Sequence, residues 1–382
     1  MPEKKLKIIL LYASAGAGHR SACEAIRQAL SDKNPDLDLK MVDILDYLPR
    51  LFSSIYAGGY LVVVSKYPML WYFMYESGSD LYHYRPYNAF FRLTWTLLFN
   101  KLFSYLQQEN PDMIISAHFH GSWAAGMYKT RYNRHCQVAS VVTDYGVHPV
   151  WVTPSQDHVF VATEQLKAEL LPFSQYIGTE NIIPAGIPIK SQFATSRNRD
   201  ELRAKFKLDD TRSTILILGG MFGSENIKDI LFWLSGSKIP LQIIIVAGKH
   251  YPITENIKEM LTARDIKYQL YGYIDFMHEL MAVADLAITK AGALTTTECL
   301  ASGLPLVIYR PYPGQEVRNC DYFLEQGVAV RVDQLSGLGA KIDSILTDTE
   351  KHSIMRRKAV ITAKSDSAVK IADYLLNVLE QE

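Results

Sequence analysis

Four clusters of residues in this 382-residue chain could do chemistry. The first is Ser14-Ala-Gly-Ala-Gly-His-Arg20. Its glycines let backbone approach a ligand closely, and the imidazole of His19 can take a proton from a hydroxyl near neutral pH. A histidine capping a tight turn is the other reading. The spacing is not G-x-G-x-x-G, because Gly16 and Gly18 are followed by Ser21, and no Gly-Lys-Ser/Thr closes a Walker loop. Cys23, one helical turn after His19, raises a Cys–His nucleophile against the commoner reading of a small core residue. The second cluster is Thr143-Asp-Tyr-Gly-Val-His148. Asp144 and His148 could orient a substrate hydroxyl or support His19, or Asp144 could form an Asx-turn. Upstream, His118-Phe-His120 also ends an apolar run. Its two rings would alternate in direction if extended, so a shared metal is not expected, while one of them could line a cleft.

The third cluster, Gly219-Gly220-Met-Phe-Gly223, is a glycine loop between strand and helix. It suits a backbone cradle for a diphosphate, or a plain tight turn. The fourth runs from Thr289 to Pro305, with Pro313-Gly-Gln-Glu-Val-Arg-Asn319 after it. Here Gly292 turns the chain, and Thr295 to Thr297 are expected to begin a helix. Its free N–H groups and the hydroxyls of Thr295 and Thr296 can hold phosphate oxygens. Glu298, in that first turn, could accept two ribose hydroxyls. Gln315 and Glu316 offer an amide and a carboxylate to sugar hydroxyls.

These clusters need elements to position them. Leu6–Ala13, Asp112–Ala117, Val138–Thr143, Thr214–Gly219, Leu241–Gly248, Asp285–Thr289 and Pro305–Tyr309 read as buried strands. Helical patterns fill the gaps, with Gly18–Ser31 and Gly121–Tyr132 the clearest in the first half. Strands regularly separated by helices predict parallel sheets covered on both faces, hence an α/β fold. Two such series predict two doubly wound domains, with ligands at the C-terminal strand ends. The change of domain is expected near Pro188–Asp210.

Lys and Arg together number 40, as do Asp and Glu, so no overall field attracts nucleic acid. The four cysteines, Cys23, Cys136, Cys299 and Cys320, lack C-x-x-C spacing, against a zinc site or disulfide framework and in keeping with a reducing compartment. The charged start Met1–Lys7 runs into a strand, so no signal peptide is expected, and no apolar run is long enough to span a bilayer. The Asp36-Leu-Asp38 string reads as a solvated turn. Tyr47–Tyr105 is different in character, with 18 of the chain's 43 aromatic residues in under a sixth of its length. Lys66, Arg85, Arg92 and Lys101 are interspersed. Such a stretch suits a membrane interface, or else a packed helical insertion or an oligomer contact.

The run Thr289–Pro305 with Pro313–Glu316 resembles the donor-binding signature of glycosyltransferase family 28, in its monogalactosyldiacylglycerol synthase and processive diacylglycerol glucosyltransferase branch. Ser14–His19 with Ala22 and Ala25 resembles that family's first glycine loop, and Thr143-Asp144 with His148 and Trp151 has the same look. The resemblance covers most of the chain. It departs in reading Ala-Gly-Ala-Gly where relatives carry three glycines, and in the bulk of Met221-Phe222.

The resemblance implies a GT-B fold, two Rossmann-like domains facing across a cleft. Residues 1–195 would face acceptor and membrane, 196–362 would bind UDP-sugar, and a helix over 363–382 would return to the first domain. His19 would be the general base, with Asp144 and His148 beside it. The backbone at Tyr273 and Ile274 would read uracil, Gly220, Gly292, Thr295 and Thr296 the diphosphate, Glu298 the ribose, and Gln315 and Glu316 the sugar. The implied activity is inverting transfer of glucose or galactose from a UDP-hexose to diacylglycerol or a glycolipid. It would need no metal or other cofactor, and would act peripherally at the cytoplasmic face of a membrane. Three alternatives share the pattern: a UDP-sugar epimerase, a lipid II-type N-acetylglucosaminyltransferase, and a UDP-sugar-sensing membrane-binding protein.

Overall fold

The structure, a computed structural model, describes residues 5–14, 16–49, 67, 69, 96–153, 155–172, 177–219, 223–248, 255–263 and 266–381. Gly220, Met221, Phe222 and most of the aromatic region fall outside these residues. The chain divides into two compact units. The first comprises Met1–Ser191, Tyr312–Arg318 and Lys364–Glu382; the second comprises Gln192–Pro311 and Asn319–Ala363. No helix of the described residues is long and apolar enough to cross a membrane.

Six parallel strands form the sheet of the first unit: β1 (Lys7–Tyr12), β2 (Asp38–Asp43), β3 (Met113–Ser116), β4 (Gln137–Val141), β5 (His158–Val161) and β6 (Ile182–Pro184). Their spatial order is β2-β1-β3-β4-β5-β6. Ile8 to Leu11 and the whole of β3 are buried, as expected where helices cover both faces. The helix Ala17–Lys33 follows β1 and buries Ala22, Cys23, Ala25, Ile26, Ala29 and Leu30, one stripe at helical spacing. The core joins Ile9, Leu11, Val42 and Ile114 to Phe99, Phe103 and Tyr128. The C-terminal helix Ser367–Glu380 packs along Ala17–Lys33, where Lys33 Nζ meets Asp373 Oδ1 at 2.5 Å. β2 lies on one side of β1 and β3 on the other, so the topological switch falls between β1 and β3.

The second unit repeats the plan with β7 (Ser213–Leu218), β8 (Leu241–Val246), β9 (Lys267–Tyr271), β10 (Leu286–Thr289), β11 (Leu306–Tyr309) and β12 (Ala329–Val332). The order is β12-β11-β10-β7-β8-β9, all parallel, with the switch between β7 and β10. The loops after β7 and β10 hold the third and fourth sequence clusters. Both switch points therefore sit at glycine-containing turns.

Two helix starts differ from the sequence reading. The helix expected at Gly121 begins at Phe119, because the His118 side chain caps it: Nδ1 accepts the His120 N–H at 3.2 Å. The helix expected at Thr295 begins at Ala293, with Gly292 as an extended N-cap. Glu298 is thus in the second helical turn, not the first.

Candidate functional site

In the first unit the ends of β1, β3 and β4 bring His19, Ala117, His118 and Thr143 together. His19 sits in the first turn of its helix, which starts at Ala17. Its Nδ1 lies 2.7 Å from the Ala117 carbonyl oxygen. A carbonyl only accepts, so Nδ1 carries the proton and Nε2 of the neutral ring holds a free lone pair. Thr143 Oγ1 stands 3.2 Å from the same Nδ1, and the His118 ring meets His19 edge-on at 4.8 Å. Burial pushes the His19 pKa down, opposed by the bond to Ala117. The ring is therefore neutral at pH 7, the form a proton acceptor needs.

The supporting turn is fixed by buried polar groups. Ser116 Oγ and Ser122 Oγ both donate to the His118 carbonyl, at 2.8 and 3.3 Å. Ser140 Oγ donates to Ser122 Oγ at 2.7 Å, and Gln156 Nε2 donates to Ser140 Oγ at 2.5 Å. Such a chain specifies one arrangement, since any gap would leave a buried polar group unpaired. Cys23 is not a nucleophile here: burial pushes its thiol up to about 12, and its Sγ contacts the Leu11 carbonyl at 3.5 Å.

Asp144 and His148 follow Thr143 in the loop after β4. Gln315 Nε2 donates to Asp144 Oδ2 at 3.2 Å, and Arg318 Nη1 donates to the Val147 carbonyl at 2.9 Å. Gly146 permits this approach, since a Cβ there would lie 2.7 Å from Arg318 Cβ. Tyr312–Arg318 thereby groups with the first unit, away from its chain neighbours. Glu316 Oε2 accepts the Tyr312 N–H at 2.9 Å. His148 Nδ1 accepts the Val150 N–H at 3.1 Å, so its neutral ring is a donor through Nε2. Asp144, Gln315 and Glu316 are half-buried and His148 is buried.

In the second unit, the helix Ala293–Ala301 points its N-terminus at the switch point. Thr296 N–H bonds the Gly292 carbonyl at 3.1 Å, and among the described residues the N–H groups of Ala293, Leu294 and Thr295 have no backbone partner. A Cβ on Gly292 would meet nothing within 4 Å, and its φ of −72° suits any residue. Among the described residues, neither strain nor crowding requires glycine there. Thr295 and Glu298 keep partly accessible side chains, whereas Thr296 is fully buried and its Oγ1 donates to the Gly292 carbonyl at 2.9 Å. Thr296 can therefore offer a ligand its place in the helix but not a free hydroxyl. Tyr273 and Ile274 lie between β9 and the helix Met277–Val283, Tyr273 exposed and Ile274 half-buried.

Two family models match the chain. Residues 19–189 match the monogalactosyldiacylglycerol synthase model, and residues 214–373 match the glycosyltransferase family 28 C-terminal domain. A processive diacylglycerol beta-glucosyltransferase of Bacillus licheniformis is 28% identical over 98% of this chain and 94% of its own. That of Bacillus subtilis is 27% identical over 92% of this chain and 90% of its own. Among solved structures, MurG of Acinetobacter baumannii superposes with a TM-score of 0.58 at 15% identity, covering 98% of this chain and all of that one. Anabaena Alr3699/HepE in complex with UDP and glucose gives 0.57 at 12% identity, covering 99% and 100%. The UDP-GlcNAc 2-epimerase of Neisseria meningitidis gives 0.62 at 13%, covering 97% and 100%. These structural likenesses bear on the fold, which is GT-B.

Proposed function

Because the chain belongs to glycosyltransferase family 28, with two family models spanning most of it, we propose that it moves a hexosyl group from a UDP-sugar to the hydroxyl of diacylglycerol or a related glycolipid. Its relatives' named activity puts glucose first among the donors to test. The acceptor hydroxyl gives its proton to His19 Nε2 while its oxygen attacks the anomeric carbon from the face opposite UDP. The glycosidic bond forms, the sugar–phosphate bond breaks, and the product is inverted to a β-glycoside. The observation that carries this reading is the Nδ1–H bond of His19 to Ala117, which leaves Nε2 as the basic nitrogen.

Negative charge gathering on UDP is met by the free N–H groups and dipole of the helix Ala293–Ala301, a preorganised electrostatic contribution that calls for no metal. Thr295, Gly292 and Gly220 serve the diphosphate, with Thr296 fixing the helix start. Glu298 takes the ribose, the backbone at Tyr273 and Ile274 the uracil, and Gln315 with Glu316 the sugar. Asp144, engaged by Gln315, and His148, a donor through Nε2, orient the reacting hydroxyls. We assign contact with the headgroups of the membrane that supplies the acceptor, at its cytoplasmic side, to the aromatic region 47–105, most of which is outside the described residues; Phe99 and Phe103 at its end belong to the core.

The test is His19→Ala. Transfer is expected to fall at least about 100-fold, the usual contribution of a general base, with UDP affinity nearly unchanged. Retention of transfer within about tenfold would remove His19 from the chemistry.

A further inference from the structure

The tautomer of His19 depends on the carbonyl of one peptide unit, the one joining Ala117 to His118. That unit is also held from its other side. A trans peptide is planar, so its C=O and N–H point in opposite directions. Here the C=O accepts from His19 Nδ1 at 2.7 Å, and the N–H donates to Ser116 Oγ at 3.3 Å. Whatever holds the N–H therefore aims the C=O.

Ser116 is well placed to do this. It ends β3 and is fully buried. Its hydroxyl proton goes to the His118 carbonyl at 2.8 Å, which leaves the oxygen lone pairs for the His118 N–H. On the upstream side the Ala117 N–H donates to the Leu11 carbonyl at 3.0 Å, tying the turn to β1. Across from the hydroxyl stands Gly121, within the helix Phe119–Arg131, where alanine is the better helix former. A Cβ on Gly121 would overlap Ser116 Oγ. Glycine there leaves the hydroxyl its place.

Thr143 Oγ1, 3.2 Å from His19 Nδ1, cannot make the same selection, because a hydroxyl donates or accepts. A carbonyl only accepts. With the carbonyl turned away, the ring proton could settle on Nε2, the nitrogen that has to receive the proton of the reacting hydroxyl. We infer that Ser116 is a positioning residue for the proton transfer: it holds the Ala117–His118 peptide so that the Ala117 carbonyl keeps the His19 proton on Nδ1. Ser116 touches no reacting atom and acts through that peptide alone. The inference deepens the proposed mechanism and rests for its purpose on His19 as the base.

The test uses the full chain, isotope-labelled at the histidine ring nitrogens and read by NMR at mildly alkaline pH, where the His19 ring is neutral. Ring-nitrogen shifts separate a protonated from an unprotonated nitrogen, and the His19 signals are those lost in His19→Ala. Two variants disturb the hold by different routes. Ser116→Ala removes the hydroxyl, and Gly121→Ala pushes it aside with a methyl group. The wild type is expected to show His19 as the Nδ1–H tautomer alone. Each variant is expected to lose that single pattern and show a mixture. The signals of His158, which starts β5 at the opposite end of the sheet, are expected to stay and report an intact fold. In the transfer assay kcat is expected to fall at least about tenfold, within the roughly 100-fold that a small misplacement of a reacting group can cost. KM for the UDP-hexose is expected to hold, as for an interaction made only in the transition state. A single Nδ1–H tautomer retained in both variants overturns the inference. So does a wild type whose His19 proton sits on Nε2, or a tautomer mixture with kcat unchanged. If Ser116→Ala fails to fold, Gly121→Ala decides. Transfer that survives His19→Ala counts against the base reading instead, and is seen apart from the tautomer.

Discussion

The tautomer of His19 is set by an atom that no sequence pattern displays. Its residue type and its place after β1 were legible, and so was the expectation that it could accept a proton. The group that fixes its tautomer is the backbone carbonyl of Ala117, 98 positions away, and a carbonyl leaves no mark in composition or spacing. Thr143, in the cluster singled out for Asp144 and His148, reaches the His19 ring, a contact that its spacing in the sequence does not show. Thr296 shows the opposite error, since a hydroxyl that reads as a phosphate ligand is donated back into its own helix. A pH dependence follows at this scale. Burial holds the His19 pKa below 6.5, so the neutral ring prevails through pH 7. With His19 as the base, kcat/KM is expected to be flat from pH 8 to pH 7. It should fall only below pH 6.5, approaching tenfold per pH unit. An acid limb centred above pH 6.5 would speak against His19.

At the scale of elements, the buried strands were legible because continuous apolar runs mark strands covered on both faces. Of the strands without such a run, β2, β6, β9 and β12 are the sheet edges. Asp38-Leu-Lys-Met-Val-Asp43 and Lys267-Tyr-Gln-Leu-Tyr271 carry polar residues that an edge can leave in water. The fifth, β5, is only four residues long and starts with a histidine. Helix starts were misread by two residues where the cap was a histidine or a glycine in place of the commoner Ser, Thr, Asp or Asn. The Gly292 cap gives the prediction proper to this scale. Gly292→Ala puts a methyl group into space that the described residues leave open. Its thermal midpoint is therefore expected to stay within about 4 °C, since Ala for Gly at an N-cap shifts stability by roughly 1 kcal/mol or less. KM for the UDP-sugar is expected to rise at least about tenfold, the factor for losing roughly 1.4 kcal/mol of binding. An unchanged KM would mean that no donor group comes near Gly292.

The molecule as a whole is two Rossmann-like units of balanced charge, and much of that was legible from the alternation of strand and helix. The regrouping of Tyr312–Arg318 with the first unit was not, because it depends on Arg318 passing over Gly146, a contact between residues 172 positions apart. The histidines of the first unit also give it an acid limit. Burial pushes His120 down to about 3 and holds His118 and His158 below their ordinary range. Their stabilising contribution is complete above the unfolded value of 6.5 and is lost as pH falls toward the folded values, because the unfolded chain binds the protons first. For His120 alone the loss at pH 5 is about 2 kcal/mol. Urea unfolding is therefore expected to show a clearly lower midpoint at pH 5 than at pH 7, and equal midpoints would contradict the neutral burial of these rings. The central claim is the reaction itself, and its most direct measurement is mass analysis of lipid after incubation with diacylglycerol and UDP-glucose, UDP-galactose or UDP-N-acetylglucosamine, each with and without EDTA. Glycosylated diacylglycerol is expected with a UDP-hexose, UDP-glucose first, its sugar β-linked and its yield unaffected by EDTA. Unmodified lipid with all three donors would contradict the account.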